Sequence, residues 1–462
     1  MAVDGKKGNR NAPTSKSKTL MQGSPAARLS ARDAALTVLR EFRQGRDLRS
    51  ALNDAVATVS DARERGLTTQ LALGVVRNMT LLDYYIAAAS SIPMRKVEPR
   101  ALDILQVAVY QLAFLDKIPA SAAVSEAVSA ARRKLNPRAV SYINAVLRKL
   151  AAELPPVVAD DEAERLAVLY SHPAWLVREV MARLGEAETE QWLTENNAEP
   201  PIYARVNTLK ATASQVVASL EERGVAVTAN ALDGTLELRG TGEIKRLKAF
   251  RDGWFYVQDP SSTRAAHALG FAESGTVGET DREREAFTVI DACAAPGGKS
   301  FAAAIAMENR GRVLSFDTEK KISLIDDGAK RLGITIVEAR AGDSSEHNAE
   351  LVEIADRVLV DAPCSGFGVI RKKPEIRFKS ADEVAALPAL QLRILSNCAA
   401  YVKRGGTLVY STCTVLQREN EDVVATFLAK NADFALDSQT TLWTQRDGGD
   451  GFFYAVMRRA TA

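Results

Sequence analysis

The 462-residue sequence predicts a multidomain chain: an all-α N-terminal domain, a small α+β middle domain and a Rossmann-like α/β C-terminal domain. Three observations carry this expectation. The length exceeds what one hydrophobic core usually serves, so roughly two to four domains of about 100–200 residues are expected. From about Ala26 to Leu150, apolar residues recur at helical intervals in a background of Ala, Leu, Val and Arg. After Phe287, strand-length apolar runs alternate with helix-length amphipathic segments, which is the pattern of a doubly wound parallel sheet.

Taken in chain order, residues 1–27 come first, rich in Gly, Ser, Pro and Asn and strongly basic through Lys6, Lys7, Arg10, Lys16 and Lys18. They predict a disordered tail that either adds phosphate contacts or only solubilises the terminus. In the helical domain, 28–152, Val107, Tyr110, Leu112 and Leu115, and later Ile143, Val146 and Leu147, have the three-to-four spacing of a buried stripe. Ser30 is placed to cap a basic amphipathic helix, and Pro93, Pro99, Pro119 and Pro137 fall at helix boundaries. Glu153 to Asp161 reads as a linker. Residues 162–270 form the α+β domain, with strand-like Arg205-Val-Asn-Thr-Leu, Val225-Ala-Val-Thr and Trp254-Phe-Tyr-Val. A charged surface insertion is expected at 273–285. In 286–462 the expected strands are Phe287–Ile290, Val313–Phe316, Ile334–Val337, Val358–Val360 and Thr407–Tyr410, with an antiparallel addition from Gly451 to Met457.

Composition narrows the function. Sixty basic against 58 acidic residues give a formal charge of +2, so any nucleic-acid footprint must be local. No apolar segment of signal-peptide or membrane type is found, so a cytoplasmic protein without membrane contact is expected. The four cysteines, Cys293, Cys364, Cys398 and Cys413, fit neither a disulfide framework nor a paired metal site, and the three histidines are not spaced as ligands. No metal is expected.

The chemistry concentrates at predicted strand ends. Val289-Ile-Asp-Ala-Cys-Ala-Ala-Pro-Gly-Gly-Lys-Ser300 is a buried strand, a tight two-glycine turn and a helix start, suited to close approach of a nucleotide-type ligand. It is not a phosphate-binding P-loop, because Cys293 stands where that motif needs glycine. Asp317 lies 19 residues beyond Gly298, near the offset of an acid that binds a ribose diol. Asp343 and Asp361 end the next two strand regions. One such acid alone reads as a cap, whereas three at successive strand ends read as a ligand edge. Cys364 and Cys413 fall on loops at that edge, while Cys398 reads as core. An ordinary thiol is only about 3% ionised at pH 7, so Lys299 is a candidate source of the positive charge a thiolate needs. A basic run, Arg371, Lys372, Lys373, Arg377 and Lys379, follows Asp361-Ala-Pro-Cys and is expected to contact phosphates. A smaller cluster, Arg132, Arg133 and Lys134, stays ambiguous.

Asp-Ala-Cys-Ala-Ala-Pro-Gly-Gly-Lys (291–299), Asp-Ala-Pro-Cys-Ser-Gly (361–366) and Ser-Thr-Cys-Thr with Glu419-Asn-Glu (411–421) resemble, in order, the motifs of the RNA cytosine-5 methyltransferases of the RsmB/Sun family. The helical domain resembles a NusB-type RNA-binding module through Leu73-Gly-Val-Val-Arg-Asn, Ile118-Pro-Ala-Ser-Ala and Asn144-Ala-Val-Leu-Arg. Arg205-Val-Asn-Thr and Gln258-Asp-Pro-Ser-Ser are similar to the segment ahead of the family's methyltransferase domain.

The resemblance implies S-adenosyl-L-methionine as cofactor, held by Cys293, Ala294, Ala295, Pro296, Gly297, Gly298 and Lys299 with Asp317, Asp343 and Asp361. It implies methylation of carbon 5 of a cytosine in ribosomal RNA, most specifically the 16S small-subunit RNA, by a protein acting as a monomer. Cys413 is the implied nucleophile, Cys364 assists product release, Asp361 meets the amidine edge of the base, and Lys299 supports the thiolate. Three alternatives stay open: Cys364 as nucleophile, a transfer RNA substrate, and a non-catalytic RNA-binding or antitermination factor.

Overall fold

A computed structural model describes residues 29–229, 235–271 and 286–461. The basic tail and the charged 273–285 segment lie outside these residues.

Seven helices build the N-terminal part: α1 (Ala31–Arg43), α2 (Leu48–Ala57), α3 (Ala62–Arg77), α4 (Met79–Ala89), α5 (Pro99–Phe114), α6 (Ala120–Lys134) and α7 (Pro137–Ala152). Their ends follow local chemistry. The Ser30 side chain accepts from the Asp33 amide and Asn136 from that of Ala139. Pro99 and Pro137 occupy first helical positions, where a missing N–H costs nothing. The expected stripe on α5 proves too narrow: Ile104 to Gln111 are all buried, because this helix runs through the middle of the bundle. Its buried polar groups are met from α1, where Arg43 donates to Asp103 Oδ1 and Gln106 Oε1, both at 2.6 Å.

Three further helices follow the 153–161 connection: α8 (Glu162–Leu169), α9 (Ala174–Leu184) and α10 (Glu186–Asn197). They share a core with Phe367, Ile370, Val415, Leu416 and Trp443 from the C-terminal region. Then β1 (Ile202–Val206), β2 (Ala226–Ala229), β3 (Thr235–Arg239) and β4 (Phe255–Val257) form an antiparallel sheet in the order β2-β3-β1-β4, with a core of its own around Val206, Val216, Leu220 and Phe255. Asn207 fastens this sheet to the C-terminal domain by donating to Leu332 O at 2.8 Å.

The C-terminal sheet has seven strands: β5 (Thr288–Asp291), β6 (Arg312–Asp317), β7 (Val337–Ala341), β8 (Ala355–Asp361), β9 (Val402–Thr412), β10 (Phe434–Leu442) and β11 (Phe452–Arg459). Their order is β10-β11-β9-β8-β5-β6-β7, parallel from β9 to β7, with β11 antiparallel to both its neighbours so that β10 runs in the direction of the parallel strands. Chain order reverses between β5 and β8, so the carboxyl ends of these neighbours mark the switch point where such sheets bind ligands. Two strand expectations need correction. The third parallel strand is 337–341, not 334–337, because Ile334 is buried just past the helix Glu319–Leu332 and its αL glycine, Gly333. β10, an edge strand mostly exposed along its length, has no expected counterpart.

The basic run after Cys364 also needs correction: most of it is structural. Arg371 is buried against Asp450 at 3.1 Å, and Lys372 bridges Asp259 and Asp450, each at 2.6 Å. Lys379 Nζ donates to Ser365 O at 2.7 Å. Arg377 is 4% exposed and donates to Arg77 O, to Ser171 O at 3.2 Å and to Asn197 Oδ1 at 3.1 Å, joining the helical bundle, α8–α10 and the C-terminal domain. Burial brings its pKa down to about 9. Only Lys373 is left exposed. Arg377→Ala would strand three acceptors at this junction. We expect a loss of about 3 kcal/mol, read as a lower thermal midpoint, and an unchanged midpoint would refute the role of this contact.

Candidate active site

At the switch point the glycine turn, Asp291, Asp317, Asp361 and two cysteines come together, with Asp343 exposed in a cavity beyond them. β5 ends at Asp291, the chain turns through Ala292–Gly297, and a helix begins at Gly298. Gly297 has φ +108°, and a Cβ there would lie 2.3 Å from the Phe301 ring, so only glycine makes this turn. The amide of Ala294 donates to Phe316 O and that of Ala295 to Asp317 Oδ2, both at 2.9 Å. Burial pushes the Asp317 carboxyl up, but the Ala295 and Thr318 amides and Lys321 hold it below its ordinary value. Asp343 lies two residues past β7 and lines a cavity of about 310 Å³ with Ile290, Phe316, Gly342 and His347. A glycine turn at a helix start, an acid ending β6 and a cavity beyond β7 are the features an adenosine cofactor needs, so these residues fit S-adenosylmethionine.

Sequence reasoning left Asp291 without a role. It is buried, accepts from Ser300 Oγ at 2.7 Å, and keeps its other oxygen without a protein partner. Burial raises its carboxyl to about 6. Strand-end position was the available signal, the same one that marked Asp317 and Asp361.

Beside this turn, Asp361 ends β8. Its Oδ2 accepts from Lys299 Nζ at 2.6 Å and its Oδ1 from Ser411 Oγ at 2.9 Å. Burial disfavours the Lys299 charge, yet Asp361, with Asp291 and Cys413 beyond it, raises the ammonium's pKa above its ordinary value. Nζ also lies 5.1 Å from the Phe452 ring centre, a cation–π contact. Ser411 and Phe452 were not found from sequence, since neither residue type is diagnostic.

Cys364 Sγ and Cys413 Sγ lie 3.2 Å apart. The surroundings decide which sulfur holds the proton. Cys364 is pushed well above an ordinary thiol by its hydrogen bond to Cys413 and by burial, with the Glu419 and Asp361 carboxyls adding to both. Cys413 is held below by the same hydrogen bond, and Lys299 assists against burial and Asp361. Either sulfur can donate across this contact; Lys299, which favours charge on Cys413, and Glu419, which opposes it on Cys364, tilt the proton toward Cys364 and thiolate character toward Cys413. Cys293 is a partly buried thiol packed against the sheet core and raised by burial, whereas Cys398 is fully buried on the helix Leu387–Ala399.

The Cys413 backbone is held closely. Gly368 N donates to Cys413 O at 3.0 Å and Gly451 N to Gly368 O at 2.8 Å. A Cβ on Gly368 would fall 1.8 Å from Gly451 O and 2.9 Å from Cys413 O. Gly368→Ala must therefore part these segments, and we expect activity to fall about a hundredfold with some 3 kcal/mol of destabilisation. Wild-type turnover in this variant would show that the packing is not needed. Among the described residues no group of His, Cys, Asp or Glu is placed to hold a metal ion, and no helix is long and apolar enough to cross a membrane.

A nucleotide-type turn at the switch point of a parallel sheet with one antiparallel strand, beside a thiol pair, defines a methyltransferase of the S-adenosylmethionine-dependent class. Known proteins narrow this. The family model "16S rRNA methyltransferase RsmB/F" matches residues 280–458, the NusB family model 29–152, and the RsmF/B-like ferredoxin-like domain 172–244. The probable ribosomal RNA small subunit methyltransferase B of Bacillus subtilis (strain 168) is 36% identical over 93% of this chain and 99% of its own. The ribosomal RNA small subunit methyltransferase B of Sodalis glossinidius (strain morsitans) is 33% identical over 93% and 97%. The crystal structure of PH0851 superposes with TM-score 0.77 at 28% identity, covering 93% of this chain and 98% of that one. A methyltransferase homolog protein from Pyrococcus horikoshii gives 0.55 at 26%, over 65% and 100%. The chain belongs to the RsmB/F family of S-adenosylmethionine-dependent methyltransferases acting on small-subunit ribosomal RNA.

Proposed function

We propose that the protein methylates carbon 5 of a cytosine in small-subunit ribosomal RNA through a covalent bond between Cys413 and carbon 6. The observation that carries this reading is the Cys364–Cys413 pair, 3.2 Å apart, beside the Lys299–Asp361 ion pair. Carbon 5 of cytosine is a weak nucleophile. Addition of the Cys413 thiolate to carbon 6 moves the double-bond electrons onto carbon 5. S-Adenosylmethionine, when bound, supplies an electrophilic methyl group. Asp361 faces the amidine edge of the base and Lys299 fixes that carboxylate and the thiolate in place. Release needs the carbon 5 proton to leave to water, the ring double bond to re-form, and the carbon–sulfur bond to break with its electrons returning to Cys413. Cys364, already donating to that sulfur, stabilises the departing thiolate. The same proton placement favours Cys413 over Cys364 as nucleophile.

The cytosine must be unstacked to expose carbon 6, which fits an RNA loop. The cofactor contacts assigned to 293–299, Asp317, Asp343 and Asp361 belong to this proposal. So do the division 28–152, 162–270 and 286–462, a cytoplasmic location and action as a monomer. Bisulfite mapping of ribosomal RNA from cells lacking the protein tests it: one small-subunit cytosine is expected to lose its protection, and an unchanged map would refute the reaction.

A further inference from the structure

The turn that follows Cys413 contains a buried polar pair that the reaction above does not use. Glu419 and Asn420 are both 0% exposed. Each grips the backbone beside a different cysteine. Glu419 Oε2 accepts from the Ser365 amide at 2.9 Å, and Gln391 Nε2 donates both to that oxygen at 2.8 Å and to Pro363 O at 3.0 Å. Cys364 lies between Pro363 and Ser365, so both of its neighbours are tied to one buried acceptor and one amide. Asn420 Oδ1 accepts from Thr412 Oγ1 at 2.5 Å, and its Nδ2 donates to Thr414 O at 3.0 Å, gripping the residues on either side of Cys413. A direct bond, Ser365 Oγ to Thr414 Oγ1 at 2.8 Å, joins the two loops.

Tyr410 OH donates to Glu419 O at 2.6 Å and anchors the turn on β9. Among the described residues no lysine or arginine pairs with Glu419, and its Oε1 and Gln391 Oε1 have no partner. A buried carboxyl group without an ion-pair partner costs stability. Its two accepted bonds both serve the Cys364 loop, so geometry there is what the burial secures.

We propose that Glu419 is a positioning residue for product release: it touches no substrate, but fixes the Pro363–Ser365 turn so that the Cys364 thiol stays in hydrogen-bond reach of Cys413. Gln391 is its auxiliary. The inference rests on the two-cysteine reading above and goes beyond it by assigning what aligns the pair.

The test uses the full chain with S-adenosylmethionine and unmodified small-subunit ribosomal RNA, measuring covalent adduct on denaturing gels and methylated product over many turnovers. Cys364→Ala is the reference and accumulates adduct. Glu419→Ala is expected to accumulate adduct at least about tenfold above wild type, with kcat down by a similar factor and KM for RNA within about twofold. Glu419→Gln, whose carbonyl oxygen can take the Oε2 position and keep both bonds, is expected within about threefold of wild type.

A merely destabilised protein loses adduct and product together, and that result overturns the proposal, as does equal impairment by the Gln and Ala variants. Gln391→Ala serves if Glu419→Ala does not fold, with the same adduct enrichment expected and its absence counting against the proposal. If Cys364→Ala itself leaves no adduct, the two-cysteine reading fails and this inference falls with it. If Cys364→Ala traps adduct and neither clamp variant does, only the assignment of Glu419 fails.

Discussion

Cys413→Ala is expected to stop methyl transfer by about four orders of magnitude or more, because the proposed reaction then loses the thiolate that opens the cytosine double bond. Cys364→Ala is expected to behave differently: the adduct still forms, methylation of bound RNA still occurs once, and the complex persists on denaturing gels. The difference follows from proton placement. Lys299 favours the thiolate of Cys413 and Glu419 disfavours a charge on Cys364, whereas Asp361 opposes a charge on both. Removing Cys364 thus removes the donor to the departing sulfur and leaves the attacking one. The reverse pattern, with adduct trapped by Cys413→Ala, would make Cys364 the nucleophile. Full activity of both variants would remove cysteine from the mechanism.

What could be read from the sequence depended on how local each determinant is. The glycine turn and the strand-end acids are local: Gly297 needs its left-handed φ, and Asp317 and Asp361 close the strands that carry them. The helical bundle was legible for the same reason, since Ser30, Pro99 and Pro137 act within one helical turn. The basic run after Cys364 was misread because the fate of a cation depends on partners distant in sequence. Asp259 and Asp450 meet Lys372 only in the folded chain, as Arg77, Ser171 and Asn197 meet Arg377. A run of charge has no periodicity that separates a phosphate-binding face from an internal brace. Ser411, Phe452 and the Glu419 clamp escaped for a related reason: each acts through contacts to residues dozens of positions away in sequence. The edge strand β10 was missed because its mostly exposed residues carry no apolar alternation.

Asp361→Asn is expected to reduce turnover by about a hundredfold to a thousandfold, and its stability cost should be separable from that loss. Asp361 has two tasks. It partners Lys299, whose side chain is 9% exposed, and in the proposed reaction it presents a carboxylate where the protonated adduct would develop charge. Asparagine removes the charge from both. Lys299 would keep the Phe452 ring and lose its anion, a change that costs less than the roughly 3–5 kcal/mol of a fully buried pair because the Asp361 side chain is 29% exposed. Replacing both residues, Lys299→Met with Asp361→Asn, should therefore recover much of the lost thermal midpoint, because no unpaired ammonium is left inside. Activity should not recover, because the carboxylate at the amidine edge and the cation beside Cys413 are both gone. Co-recovery of stability and turnover in the double variant would mean that Asp361 serves only to neutralise Lys299. A single variant with normal turnover would remove Asp361 from the chemistry.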